Sequence, residues 1–228
     1  MRRVLSVLAG LLVVVAATSA AHAADPKPTQ IDFAIVISEG PPPAAGHRFD
    51  YQATLSSESV PLAGADVDLL VRPFGSSTFS VARHVVSDAQ GAVSASVVLT
   101  RTSQVRWAYT GVGPYASTES FAYHQDVGAP VRARAQDTTL RGRQQAVVTG
   151  RTDRVKAGMR VTLMRGQVPC FCPGATSVRV AGATVRRDGT FRFAVRFAHP
   201  GAKRLFVRVA PGRGTSLGYS RYVVIHVR

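Results

Sequence analysis

Apolar residues recur at every second position in short runs along this chain, the period of a half-buried β-strand rather than that of a helix. The clearest run ends at Phe197: Phe191, Phe193, Val195 and Phe197 fall on one face, and Arg192, Ala194 and Arg196 on the other. Asp188-Gly189 just before it can take the left-handed conformations of a type I′ turn, so Val185 to Phe197 is predicted to form a β-hairpin. The same alternation predicts earlier strands at Ile31 to Ile37, Arg48 to Leu55, Val67 to Arg72, Phe79 to Val86, Val93 to Leu99, Val105 to Thr110 and Ser120 to Val127. Gly40-Pro41-Pro42-Pro43 interrupts the series, because proline cannot donate to a ladder.

The second half repeats the plan of the first. Ala63-Gly64-x-x-Val67-x-Leu69 corresponds to Ala157-Gly158-x-x-Val161-x-Leu163, and the turn at Gln90-Gly91 to the one at Asp188-Gly189. Val105, Trp107 and Tyr109 match Leu205, Val207 and Val209, and the closing strands Phe121 to Val127 and Val223 to Val227 are equivalent. The repeat predicts an all-β protein of two tandem sandwich domains, 24–127 and 131–228, each near the usual size of about 100 residues. Gly128-Ala129-Pro130 is the linker, short enough to restrict their relative orientation.

These elements, with the final Tyr219-Ser220-x-x-Val223-x-Ile225-x-Val227 strand, resemble bacterial immunoglobulin-like domains, in particular the tandem secreted ones of high-GC Gram-positive bacteria. The resemblance implies immunoglobulin-like β-sandwiches serving as spacers, adhesion or ligand-binding modules, or accessories to wall enzymes, and it carries no catalytic residues. The antibody-type disulfide between sheets is not implied, since the first half has no Cys.

Residues 1–23 read as a cleaved signal peptide: Arg2 and Arg3, an apolar run from Val4 to Ala17, and Ala21-His22-Ala23 for cleavage between Ala23 and Ala24. The run is short for a membrane span, so the expected product is exported and not transmembrane. Charge then separates the halves. Of a formal net charge of +15, residues 24–130 carry 6 Lys+Arg against 10 Asp+Glu, and residues 131–228 carry 20 against 3. The basic character belongs to the second half, where alternation puts Arg179, Arg192, Arg196 and Arg208 outside. Arginine forks suit phosphates and carboxylates, which makes an envelope polyanion the expected partner: a wall polymer, an acidic polysaccharide or an anionic lipid surface. Nucleic acid would be bound without sequence reading, there being no recognition helix or basic motif. A solvated cationic surface is the alternative.

Other chemistry is thin. Cys170-Phe171-Cys172, between Pro169 and Pro173, permits a small strained disulfide, an intermolecular link or free thiols; with Met159 and Met164 as thioether donors it suggests thiol-redox or Cu(I) handling. Trp107, Tyr109, Phe121 and Tyr123 form either an aromatic platform or core, core being favoured by the polar opposite face. Asp66 and Asp68 share a strand face and offer at most a weak Ca²⁺ contact. His47, His84, His124, His199 and His226 show no metal-ligand spacing, and no nucleophile elbow or phosphate loop occurs. No cofactor, resident metal or enzymatic activity is expected. The expected function is a non-enzymatic envelope-associated binding module; the alternatives are a spacer or adhesin with a protein partner, and a thiol or copper protein.

Overall fold

The computed structural model describes residues 25–34, 42–153, 156–167 and 176–228. All regular structure among them is β. The first unit contains β1 (Thr29–Ala34), β2 (His47–Ser57), β3 (Val60–Pro61), β4 (Asp66–Pro73), β5 (Ser80–Val86), β6 (Ala92–Leu99), β7 (Ser103–Tyr109), β8 (Thr118–Glu119) and β9 (Tyr123–Gln125). Here β2 lies between β1 and β6, β4 lies between β5 and β7, and β7 also pairs with β8 and β9. The second unit contains β10 (Val131–Ala135), β11 (Thr139–Leu140), β12 (Gln145–Thr152), β13 (Arg160–Gly166), β14 (Ser177–Thr184), β15 (Thr190–Arg196), β16 (Gly201–Val209), β17 (Gly218–Tyr219) and β18 (Val223–Val227). Its sheets run β10-β12-β15 and β11-β18-β16-β13-β14. In the first unit a four-strand sheet, counting the short β3 beside β2, faces a five-strand one, and in the second a three-strand sheet faces a six-strand one, the immunoglobulin-like arrangement.

Side-chain alternation is what makes these strands bury one face. In β2, Phe49, Tyr51, Ala53 and Leu55 point inward; in β15, Phe191, Phe193 and Val195 do so, while Arg192 and Arg196 are exposed. One hydrophobic cluster gathers residues from Ile31 to Val127 and a second from Ala129 to Ile225. Trp107 and Tyr109 belong to the first core and form no platform, whereas Phe121, expected to face them, is exposed and lies 5.4 Å from the Phe33 ring.

Matched hydrogen bonds show how far the internal repeat extends. Ser120 Oγ accepts from the Trp107 amide and Ser220 Oγ from the Val207 amide, both at 2.9 Å. The edge strands β5 and β14 each carry one extra residue, at Ala82 opposite Leu69/Leu70 and at Val180 opposite Leu163/Met164. Such bulges twist an exposed edge and blunt its pairing with other chains.

The hairpin expected at Asp188-Gly189 is not formed. A type I′ turn needs positive φ at both residues, and only Gly189 has it, at 81°. The Gly189 amide donates to Arg186 O (3.0 Å), and Asp188 Oδ1 accepts from the amide and hydroxyl of Thr190 (3.0 and 2.7 Å). These bonds, with the Arg186 charge, lower the Asp188 pKa. The turn carries the chain from β14 in one sheet to β15 in the other, as Asp88 to Gly91 does between β5 and β6. Two successive left-handed residues occur instead at Glu58 and Ser59, with φ of 50° and 68°.

The segment around Gly128 is hydrogen-bonded on both sides. Its amide donates to Pro43 O (2.8 Å), the Ser216 amide donates to Val127 O (2.8 Å) and the Ala129 amide to Ser216 O (3.2 Å). The Thr102 amide adds a bond to Gly214 O at 2.9 Å.

Burial in the first core pushes the Tyr51 phenol well above its ordinary pKa of 10.0, with neighbouring Tyr123 adding to the effect. The unfolded phenol ionises first as pH rises, so this contribution to stability is complete below about pH 10 and is lost progressively above it. Tyr51→Phe is expected to flatten the alkaline fall in stability of the first unit. Denaturation followed by fluorescence of Trp107, the only tryptophan, between about pH 9 and 12 checks this.

Candidate anion-binding face

Strand β10 alternates Val131, Ala133 and Ala135 with exposed Arg132 and Arg134. Pairing with β12 sets Arg132 opposite Arg151 and Arg134 opposite Thr149, and β15 then sets Arg192 opposite Thr149 and Thr190 opposite Arg151. Neighbouring strands lie about 4.8 Å apart and alternate residues about 6.8 Å apart, so these arginines form a compact two-row grid. Arg186, from the turn that enters β15, completes the rim of a concavity of about 480 Å³ whose floor includes Gly150 and Phe191.

The floor is tightly built. A Cβ on Gly150 would stand 2.3 Å from Arg132 O and 2.3 Å from Phe191 Cζ. Glycine thus lets β10 lie against β12 with the Phe191 ring between them and the core, and so brings the β10 arginines beside Arg192.

Little opposes this charge. The acids of residues 131–228 are Asp137, Asp153 and Asp188. Asp153 meets Arg151 at 2.9 Å in an exposed pair, of the kind worth about 0–1 kcal/mol. The Asp188 carboxylate is engaged in its turn. Arg132, Arg134 and Arg192 have no ion-pair partner among the described residues.

The repeat supplies an internal control. Register equates Arg132, Arg134, Arg151 and Arg192 with Asp32, Ala34, Thr54 and Ser94 of the first unit, and the turns equate Arg186 with Asp88. Arg48, elsewhere on that first-unit face, is compensated by Asp50 at 3.6 Å and donates to Ser96 Oγ at 2.8 Å. One fold thus carries both a compensated and an uncompensated version of the same face, so the arginines are not a requirement of the sandwich.

The four arginines expected from the sequence are all exposed, but they do not share a face. Arg192 and Arg196 lie on β15, whereas Arg179 on β14 and Arg208 on β16 belong to the opposite sheet. Arg196 pairs in register with Gln145, away from the Arg132 row. Arg132, Arg134, Arg151 and Arg186 escaped the sequence reading; the Val-Arg-Ala-Arg-Ala alternation after Pro130 was the available signal.

Cys170, Cys172 and the cleavage residues Ala23 and Ala24 lie outside the described residues. Met164 is buried and Met159 is half-buried against the second core. Asp68 is paired with His84, and among the described residues no group of three or more His, Cys, Asp or Glu is placed to hold a metal. No described helix is long and apolar enough to cross a membrane.

No protein-family model and no curated protein matches the chain. Among solved structures, it is similar to the D0-D1 domain of intimin, with 14% identity, a TM-score of 0.31, and coverage of 86% of this chain and 97% of that one. It is also similar to the native conformation of E. coli alpha-2-macroglobulin, with 12% identity and a TM-score of 0.36; the match covers 90% of this chain and 16% of that one. It is the strand pairing that makes both units immunoglobulin-like.

Proposed function

We propose that this is an exported, non-enzymatic binding module of the cell envelope, whose second unit holds a phosphate- or carboxylate-bearing polymer on the outer face of β10-β12-β15. The observation that carries this reading is the uncompensated trio Arg132, Arg134 and Arg192 on an open sheet face, where the duplicated first unit has Asp32, Ala34 and Ser94. A fork of N–H donors on each guanidinium matches anionic oxygens in pairs. A shallow sheet face with no inserted helix reads backbone charge rather than base sequence, which fits a repetitive polymer. The signal-like pattern of residues 1–23 supports export to the compartment where wall polymers are found.

Retention of the full chain on immobilised poly(glycerol phosphate) tests the proposal. Three to five phosphate contacts, each contributing a logarithmic slope of about 0.7, predict a loss of roughly 10- to 100-fold in affinity between about 50 and 200 mM salt. Arg132→Ser, Arg134→Ser and Arg192→Ser combined should weaken binding at least about tenfold at the lower salt and reduce the slope by about 2. No retention at low salt, or equal retention by the triple variant, overturns the assignment.

A further inference from the structure

The opposite sheet of the second unit carries its own uncompensated arginine cluster, which the proposal above leaves unused. Arg208 on β16 pairs with Thr162 on β13, and Thr162 pairs with Gly182 on β14. The Arg179 guanidinium folds back over that glycine, with Nη2 2.8 Å from where a Cβ would stand. Gly182 therefore gives Arg179 room to lie across the sheet toward the Thr162–Arg208 row. Arg160 stands two residues along β13 from Thr162, and the three arginines border a concavity of about 620 Å³. None of the three has an ion-pair partner among the described residues. Register equates Arg160, Arg179 and Arg208 with Asp66, Val81 and Ala108 of the first unit, so here too the duplicated fold does without the positive charge.

The two clusters point in opposite directions. The sheets of a sandwich pack about 10 Å apart with side chains standing outward on each side, so the arginine tips of the two faces are separated by the full thickness of the unit. A linear polymer lying along one face leaves the other free. We infer that the second unit binds two phosphate-polymer strands at once, one on each sheet, and so cross-links them. This rests on the anion-binding reading of the first face and adds a second site, with a consequence that a single site does not have.

The test uses the full chain with two probes. Short oligophosphate, titrated calorimetrically, is expected to fill two sites per chain. The variant Arg160→Ser/Arg179→Ser/Arg208→Ser is expected to keep one, as is the variant Arg132→Ser/Arg134→Ser/Arg192→Ser. Long-chain polyphosphate, followed by light scattering, is expected to give large particles at intermediate protein-to-polymer ratios and clear again in polymer excess; both single-face variants should stay clear throughout. Binding of oligophosphate with one site per chain, or two sites without scattering because one strand wraps both faces, overturns the cross-linking inference and leaves the first face standing. Scattering that persists in either single-face variant also overturns it. Absence of all binding removes both readings together. Far-UV circular dichroism confirms that the six exposed substitutions leave the sheets intact.

Discussion

Gly150→Val is expected to unfold the second unit far below the temperature at which the native chain loses it, and to abolish polyanion retention with it. The reason is the absence of space. The first added carbon would already lie 2.3 Å from the Arg132 carbonyl oxygen and 2.3 Å from Phe191 Cζ, and valine adds two further methyl groups. Phe191 cannot yield, because its ring is fully buried and packs edge-on to Phe193 at 5.6 Å. The strand β10 must therefore leave β12, taking Arg132 and Arg134 out of register with Arg192. Overpacking of a core typically costs about 1–3 kcal/mol, and two simultaneous clashes with backbone and buried ring belong at the upper end or beyond. For a domain of about 100 residues this lowers the melting temperature by more than about 10 °C. Circular dichroism should show the early loss of β signal, while fluorescence of Trp107, buried in the first unit, should melt as in the native chain. An unchanged melting profile would show that β10 does not need this close approach.

The contrast between Phe191 and Arg132 marks what was legible in the sequence. The row Phe191, Phe193 and Val195 could be read directly, since large apolar residues at period two have one physical interpretation, and it predicted both the strand and its inner face. The repeat was equally readable because each matched motif names inward positions such as Val67 and Val161, both of which are buried. Asp188-Gly189 shows where local reading stops. A turn dipeptide specifies a tight reversal but not whether the next strand pairs with the last one or crosses to the facing sheet, and here it crosses.

The arginines follow the same logic. Outward direction is a local property, and Arg179, Arg192, Arg196 and Arg208 are indeed exposed. Which of them meet is a property of pairing between distant strands: Arg192 joins Arg134 only because β12 lies between β15 and β10. Strand β10 itself was easy to overlook, having only valine and alanine on its inner side and following Pro130 directly. Charge counts located the basic half of the molecule, but they could not divide it between two faces.

Trp107→Ala is expected to cost the first unit about 3–5 kcal/mol, the usual loss for emptying a buried aromatic site. Trp107 is completely buried in β7, the middle of the larger sheet, among Leu69, Val105 and Tyr109, so the surrounding strands cannot collapse into the space without breaking their ladders. Against a total of about 5–15 kcal/mol for a domain, this takes roughly a fifth or more of the stability. Trp107→Phe should be far milder. Indole Nε1 is buried with no hydrogen-bond partner among the described residues, and removing such a donor relieves about 1–3 kcal/mol that offsets part of the lost packing. Urea denaturation followed by circular dichroism should therefore rank the native chain and Trp107→Phe close together and Trp107→Ala well below. Retention on poly(glycerol phosphate) should be unchanged in both variants under conditions where the first unit of Trp107→Ala has melted, because the arginine face is built from β10, β12, β15 and the turn that enters β15, all in the second unit. Loss of retention on melting of the first unit would mean instead that the bonds joining Val127, Ala129 and Thr102 to Gly214 and Ser216 hold the second sandwich in its binding form. The charge-bearing unit would then depend on its acidic neighbour for shape as well as for position.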